Sequence, residues 1–266
     1  ALVDTVDICY FEVYLRKIKQ VIGERPINYL IINHMEPDHS GSIRLIKEHY
    51  PEIIIVGNKQ TFGMIEAFYG VTGEQYLVKE GDFLALGHHK LRFYMTPMVH
   101  WPETMMTFDE TDGVHFSGDG FGCFGTVDGG FLDTRINVDK YWGEMVRYYS
   151  NIVGKYGSPV QKALQKLGGL PISAIRSTHG PVWTENIAKV IGIYDRLSRY
   201  DADEGVVIAY GSMYGNTEQM AEAIAEELSA QGVKNIVMHN VTKSHPSYII
   251  ADIFRYKGLI IGSPTY

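Results

Sequence analysis

Short apolar runs rich in β-branched and aromatic residues recur at Tyr29–Ile32, Ile53–Val56, Phe83–Leu86, Leu91–Met95, Gly113–Phe116 and Ala174–Ser177. Bounded by glycine and proline, they predict strands. Between and after them the pattern lengthens to a helical period, predicting helices over Ser42–His49, Thr61–Phe68, Lys140–Lys155, Pro159–Lys166 and Ile187–Leu197. Strands and helices mixed in this way predict a layered α/β domain, with sheet inside and helices outside. The opening Ala1–Thr5 lacks the basic and apolar regions of a signal peptide and reads as the inside of a strand, so the chain is expected to extend further on that side.

A polar stretch from Ser198 to Gly205 then separates a second pattern. It runs strand (Val206–Ala209), glycine-rich turn, helix (Thr217–Gln231), strand (Asn235–His239), helix (Ser247–Tyr256) and strand (Leu259–Ile261). Such a βαβαβ order implies parallel strands joined by right-handed crossovers. A doubly wound sheet of this kind takes about five strands. Two domains are therefore expected, over residues 1–200 and 205–266, the second carrying only the first half of its sheet.

Composition narrows the classes. The 266 residues are 45% hydrophobic and carry a formal net charge of -7, enough apolar material for one large core or two smaller ones and a sign that speaks against a nucleic-acid partner. No apolar run approaches the ~18 residues of a membrane span, so no membrane partner is expected. The cysteines, Cys9 and Cys123, lack CxxC spacing and read as packing residues in a reducing, cytoplasmic protein.

The densest chemistry is His34-Met-Glu36-Pro-Asp38-His39, directly after a predicted strand. Four ligand-type side chains in six residues can face two adjacent ions, and Pro37 is expected to keep the segment from running on as a helix. His100, Asp119 and His179 follow other strands, which end at Val99, Gly118 and Thr178 on this reading. If those ends lie along one edge of a sheet, all seven side chains converge. Four histidines and three carboxylates without sulfur suit iron, manganese or zinc. His88 and His89 read as a surface turn, while His49, His115, His239 and His245 have no ligand-like company. Trp101 and Trp183 stand beside ligand candidates, as pocket walls or as packing.

A second motif is Tyr210-Gly-Ser212-Met213-Tyr214-Gly215-Asn216-Thr217, between a strand and a helix. Gly211 and Gly215 permit a tight turn and the helix start offers free N–H groups to an anion. Without lysine and without GxGxxG spacing, it is neither a nucleotide-hydrolysing P-loop nor a dinucleotide fingerprint. It resembles the FMN phosphate loop of flavodoxins. Gly262-Ser263-Pro264-Thr265-Tyr266 resembles the flavodoxin loop that approaches the isoalloxazine ring.

The His34–His39 loop in turn resembles that of the metallo-β-lactamase superfamily, usually His-x-His-x-Asp-His around hydrolytic zinc. Glu36 stands where that pattern has its second histidine. Glu36, Asp38 and Asp119 would surround the metals with negative charge, favouring ions that cycle between +2 and +3. The combination is similar to the flavodiiron proteins, or A-type flavoproteins. This resemblance implies a metallo-β-lactamase-like αββα sandwich followed by a truncated flavodoxin-like domain. It implies two non-haem iron ions, one on His34, Glu36 and His100 and one on Asp38, His39 and His179, bridged by Asp119. In some relatives the position matching His39 is displaced from the metal. It further implies FMN, reduction of O2 to water or of NO to N2O, and a redox donor such as rubredoxin, a deazaflavin cofactor or a flavoprotein reductase. A head-to-tail homodimer or dimer of dimers is implied as well. The competing readings are a zinc-dependent hydrolase with an accessory flavodoxin-like domain and a flavin electron carrier without catalysis.

Overall fold

A computed structural model describes residues 1–265. It begins with β1 (Leu2–Val3), α1 (Phe11–Ile22), β2 (Tyr29–Ile31), α2 (Pro37–Ser40), α3 (Ile43–His49), β3 (Ile54–Gly57), α4 (Lys59–Tyr69) and β4 (Gln75–Leu77). These four strands pair in chain order, all parallel. Next come β5 (Phe83–Leu86), β6 (His89–Met95), β7 (Met105–Asp109) and β8 (Val114–Gly118), an antiparallel meander. After α5 (Asp139–Tyr148) and α6 (Gly157–Leu167), β9 (Ala174–Ser177) joins β8 in parallel, and α7 (Ile187–Ser198) follows.

The alternation of side chains across the strands builds the layers. Leu30 and Ile32 pack with Phe11, Leu15, Ile18, Ile43, Ile46 and Phe62, putting α1, α3 and α4 on one face of the first sheet. Ile31, between them, points the other way and joins Val56, Leu84, Phe93 and Met105, so the two sheets meet face to face. On the far side of the second sheet, Met106 and Ile175 pack with Met145, Val160, Tyr194 and Leu197 of α5, α6 and α7. The result is the expected helix–sheet–sheet–helix sandwich.

Several elements differ from the sequence reading, each for a physical reason. The helix predicted over Lys140–Lys155 is α5 followed by a π-turn (Tyr149–Val153) and a 3-10 turn (Gly154–Tyr156), broken where Gly154 takes positive φ. Pro37 does not prevent a helix; it begins one, filling the first position of α2, where a missing N–H costs nothing. The strand before His100 ends at Met95, not Val99. Apolar-run reading also passes over α1, β4 and β7. In α1 the buried residues Phe11, Leu15 and Ile18, with Tyr14 and Ile22 beside them, are interleaved with Glu12, Arg16, Lys17 and Lys19. β4 is exposed throughout, and β7 is wholly buried but built on methionine and threonine.

The second unit contains β10 (Asp203–Tyr210), α8 (Asn216–Ala230), β11 (Ile236–Asn240), α9 (Pro246–Arg255) and β12 (Tyr256–Gly262). The strands lie in the order β11-β10-β12, both pairings parallel, with Ala221, Ala225 and Leu228 of α8 packed near Ile208 and Tyr210. It is tied to the sandwich through α5 and α9. Arg147 donates from Nη1 to Ser247 Oγ at 2.8 Å, and Asn151 Nδ2 donates to the Ser247 carbonyl at 3.0 Å. Asp203 receives both Arg196 (2.6 Å) and Arg255 (3.2 Å). Among the described residues no helix is long and apolar enough to cross a membrane.

Candidate metal centre

His34 follows β2 and is held from the backbone upward. The buried carboxylate of Asp4, just after β1, accepts from the N–H groups of Asn33 (2.7 Å) and His34 (3.4 Å). Asn33 in turn stitches the sheets together: its Nδ2 donates to the Phe116 carbonyl at 3.3 Å and its Oδ1 accepts from Thr107 Oγ1 at 2.7 Å. Glu36 and α2 then present their side chains beside His34. His100 lies in the loop between β6 and β7, Asp119 directly follows β8, and His179 follows β9 by two residues. All seven predicted positions thus come together, but from two facing sheets rather than along one sheet edge.

They divide into two groups around Asp119. Asp119 Oδ2 lies 2.9 Å from His100 Nε2 and 3.6 Å from His34 Nε2, while Glu36 Oε2 lies 3.1 Å and 3.3 Å from the same two nitrogens. Asp119 Oδ1 lies 2.8 Å from His39 Nε2 and 3.2 Å from His179 Nε2, with Asp38 Oδ2 at 3.4 Å and 3.3 Å. Each oxygen of one buried carboxylate therefore serves a different half of the pocket. All four imidazoles turn the same nitrogen, Nε2, towards it.

The electrostatics call for positive charge. Hydrogen bonds from His100 and His34 bring Glu36 down to about 2. Burial would raise Asp38 and Asp119, yet the surrounding histidines hold both far below the usual carboxylate range. Burial opposes charge on the histidines, but Asp119 with Asp38 lifts His39 to about 11 and His179 to about 9, and Asp119 with Glu36 lifts His100 to about 9. Protons on these rings fill the role a cation would take. One atom reports this directly. His39 Nε2 is buried and close to two carboxylates, but no hydrogen bond is aligned with it. A buried nitrogen without an aligned bond, whose near neighbours Asp119 and Asp38 are themselves candidate ligands, fits a metal ligand. The all-N/O donor set suits an ion such as iron, manganese or zinc.

Sequence reasoning missed the supports. Glu103 Oε1 accepts from His34 Nδ1 and from the Met35 N–H, both at 2.9 Å. Thr178 Oγ1 donates to Asp119 Oδ1 at 3.1 Å. The Tyr148 ring stands 5.5 Å from that of His179. The proximity of Glu103 to His100 in His100-Trp-Pro-Glu103 was the available signal for the first of these; Asp4 offered none. Trp101 sits edge-on to His34 with centroids 5.3 Å apart. Trp183 is instead a packing residue, buried, stacked on Trp142 and donating to the Phe121 carbonyl at 3.1 Å. His88 is in an exposed turn as expected, but His89 begins β6 and its Nδ1 donates to Asp109 at 2.7 Å.

At the second motif, β10 and β12 are adjacent and pair Tyr210 with Gly262, so the loops holding Ser212–Thr217 and Ser263–Thr265 leave neighbouring strand ends. Tyr266 lies outside the described residues. Gly215 takes φ +86 at the start of α8, and Ser212 Oγ accepts from Gly215 N at 3.1 Å. Met213 and Tyr214 are exposed.

Comparison with known proteins gives these sites a context. Residues 1–180 match the family described as ODP family beta lactamase, and residues 208–266 match flavodoxin. The chain is similar to the anaerobic nitric oxide reductase flavorubredoxin of Vibrio vulnificus, 32% identical over 99% of this chain and 54% of that protein. Its Escherichia coli counterpart is 30% identical, over 99% and 56%. The chain thus spans about half the length of the curated relatives it matches. Among solved structures, rubredoxin oxygen:oxidoreductase of Desulfovibrio gigas superposes with a TM-score of 0.95 at 29% identity, over 99% of this chain and 67% of that one. The flavodiiron protein of Giardia intestinalis gives 0.95 at 26%, over 99% and 65%.

Proposed function

The chain belongs to the flavodiiron protein family, and from that premise we propose that it serves an oxidoreductase that reduces O2 to water, NO to N2O, or both. The observation that carries this is the shared carboxylate Asp119, with one oxygen towards each of two His/carboxylate groups, in a chain that also carries a flavodoxin module. His34, Glu36 and His100 would hold one iron ion, and Asp38, His39 and His179 the other, with Asp119 between them. FMN would be held by Ser212, Met213, Tyr214, Gly215, Asn216 and Thr217 around its phosphate and by Ser263, Pro264, Thr265 and Tyr266 near its ring. When bound, the iron pair supplies redox-active ions for a diatomic gas and FMN supplies the electrons.

The chain's own residues orient and insulate. Asp4 and Asn33 fix the His34 backbone against both sheets, Trp101 covers its ring, and the anionic set of Glu36, Asp38 and Asp119 favours the higher oxidation state. In this reading the diiron domain occupies residues 1–200 and the FMN domain begins at 205. The electrons come from rubredoxin, a deazaflavin cofactor or a flavoprotein reductase, in a cytoplasmic head-to-tail homodimer or dimer of dimers. A zinc hydrolase leaves the flavodoxin module without a role. The test is anaerobic stopped-flow of the reduced, full-length protein mixed separately with O2 and with NO. Rapid flavin oxidation with gas consumption is expected for at least one of them. Inertness towards both overturns the proposal.

A further inference from the structure

Glu103 is 1% exposed and sits in the loop of the second sheet that also carries His100. Its Oε1 reaches across to the first sheet and takes two hydrogen bonds, from His34 Nδ1 and from the Met35 N–H, both at 2.9 Å. Its own carbonyl is pinned from a third element: Asn58, which caps α4, donates from Nδ2 to it at 2.6 Å. The second carboxylate oxygen, Oε2, is buried without a partner. A buried carboxylate is expensive, more so with one oxygen unsatisfied, and a neutral acceptor could serve the Met35 N–H equally well. What a carboxylate does specifically is accept a strong hydrogen bond from the Nδ1–H of an imidazole, which keeps the proton on Nδ1, leaves the Nε2 lone pair free and makes that ring a stronger ligand.

We propose that Glu103 is a positioning residue of the metal centre. It fixes the tautomer and angle of His34, and it sets the spacing between the His34 loop of one sheet and the His100 loop of the other. This rests on the diiron reading above. It predicts an asymmetry which that reading alone does not. His34 and His100 belong to one of the two groups, whereas among the described residues no hydrogen bond or ion pair joins Glu103 to Asp38, His39 or His179. Loss of Glu103 should therefore loosen one iron and spare the other.

The test is ferrous iron binding to the full-length protein under anaerobic conditions, read by metal analysis after dialysis and by redox titration. In Glu103→Ala, affinity at one position is expected to fall about 10- to 100-fold, so that iron drops from about two towards one per chain. Glu103→Gln keeps an acceptor for the His34 ring but not the negative charge. It should recover the second iron while the midpoint potential of the pair moves upward. FMN content reports whether each variant is folded; if Glu103→Ala is not recovered, the potential of Glu103→Gln decides. Two irons bound by Glu103→Ala with wild-type affinity, equal loss from both positions, or a wild-type potential in Glu103→Gln overturns the proposal. A wild-type chain that takes up no iron overturns the diiron reading along with it.

Discussion

Gly180, the residue after His179, gives a quantitative test of how the second half of the pocket is built. Its φ is +87°, and a Cβ placed there would lie 2.2 Å from Cys123 Sγ and 3.3 Å from the Cys123 backbone N and O. Cys123 is 1% exposed and its N–H donates to the His179 carbonyl at 3.2 Å, so neither side can retreat without moving His179. In Gly180→Ala, the left-handed backbone costs roughly 1–2 kcal/mol. The steric overlap adds roughly 1–3 kcal/mol of overpacking. The expected loss is thus about 2–5 kcal/mol. Removing the sulfur should return the overlap part. Cys123→Ala alone leaves a small cavity worth about 1 kcal/mol. The double variant Cys123→Ala/Gly180→Ala should then be more stable than the single losses predict, with a coupling of about 1–3 kcal/mol. Urea denaturation of the wild type and three variants closes the cycle. If Gly180→Ala falls within about 0.5 kcal/mol of wild type, or if the two losses simply add, the clash is not what makes this position glycine.

Other sites give further expectations. Asp133 is buried and accepts five hydrogen bonds, from the N–H groups of Thr184, Glu185 and Asn186 and the side chains of Thr184 and Asn186, at 2.6–3.1 Å. Asp133→Ala should cost about 3–5 kcal/mol in urea denaturation, and a loss under about 1 kcal/mol would show the bonds to be dispensable. Burial would raise this carboxyl, but the bonds from Thr184 and Asn186 win and hold it below its ordinary value. Its stabilisation should therefore be full above the ordinary carboxylate range of about 4 and disappear as pH falls below it. His115, fully buried, is pushed down to about 3 by that burial. Neutral when folded and protonated when unfolded, it should cost the wild type roughly 1.4 kcal/mol per pH unit as pH falls from about 6.5 towards 3. His115→Leu should flatten that slope in a pH series of denaturation curves; an unchanged slope would place the ring in contact with water. Asp119→Ala should reduce bound iron at both positions while FMN stays bound, and loss at one position alone would contradict a shared carboxylate.

Local chemistry was legible in the sequence, and long-range company was not. His34, Glu36, Asp38 and His39 could be named because four donors in six residues have no easy explanation as solvated surface. Asp119 and His179 are legible because each stands just past a strand, and His100 because an apolar run leads up to it, although β6 ends at Met95 and His100 lies within the loop. That they approach from two sheets is a consequence of the sandwich, in which Asn33, just after β2, bonds across to Thr107 of β7 and Phe116 of β8. Periodicity does not encode which sheet a strand joins. Asp4 is silent for the same reason, since it meets His34 only after the chain has closed over 30 residues, and the nearness of Glu103 to His100 does not reveal that its partner is Met35, 68 residues away. The buried α1 stripe, Phe11, Leu15 and Ile18, stands at helical spacing, but it is interleaved with exposed Val13 and Val21 and with Glu12, Arg16, Lys17 and Lys19, so no clean apolar run marks it. The proline at Pro37 carried two opposite meanings, helix breaker and helix start, and the backbone chose the second.

In the proposed function Asp119 and the six side chains around it hold redox iron served by FMN rather than hydrolytic zinc. Metal and flavin analysis of the full-length protein, produced with both iron and zinc available, tests it most directly. About two iron ions and about one FMN per chain are expected, with zinc at trace level. Stoichiometric zinc with no bound flavin would contradict it.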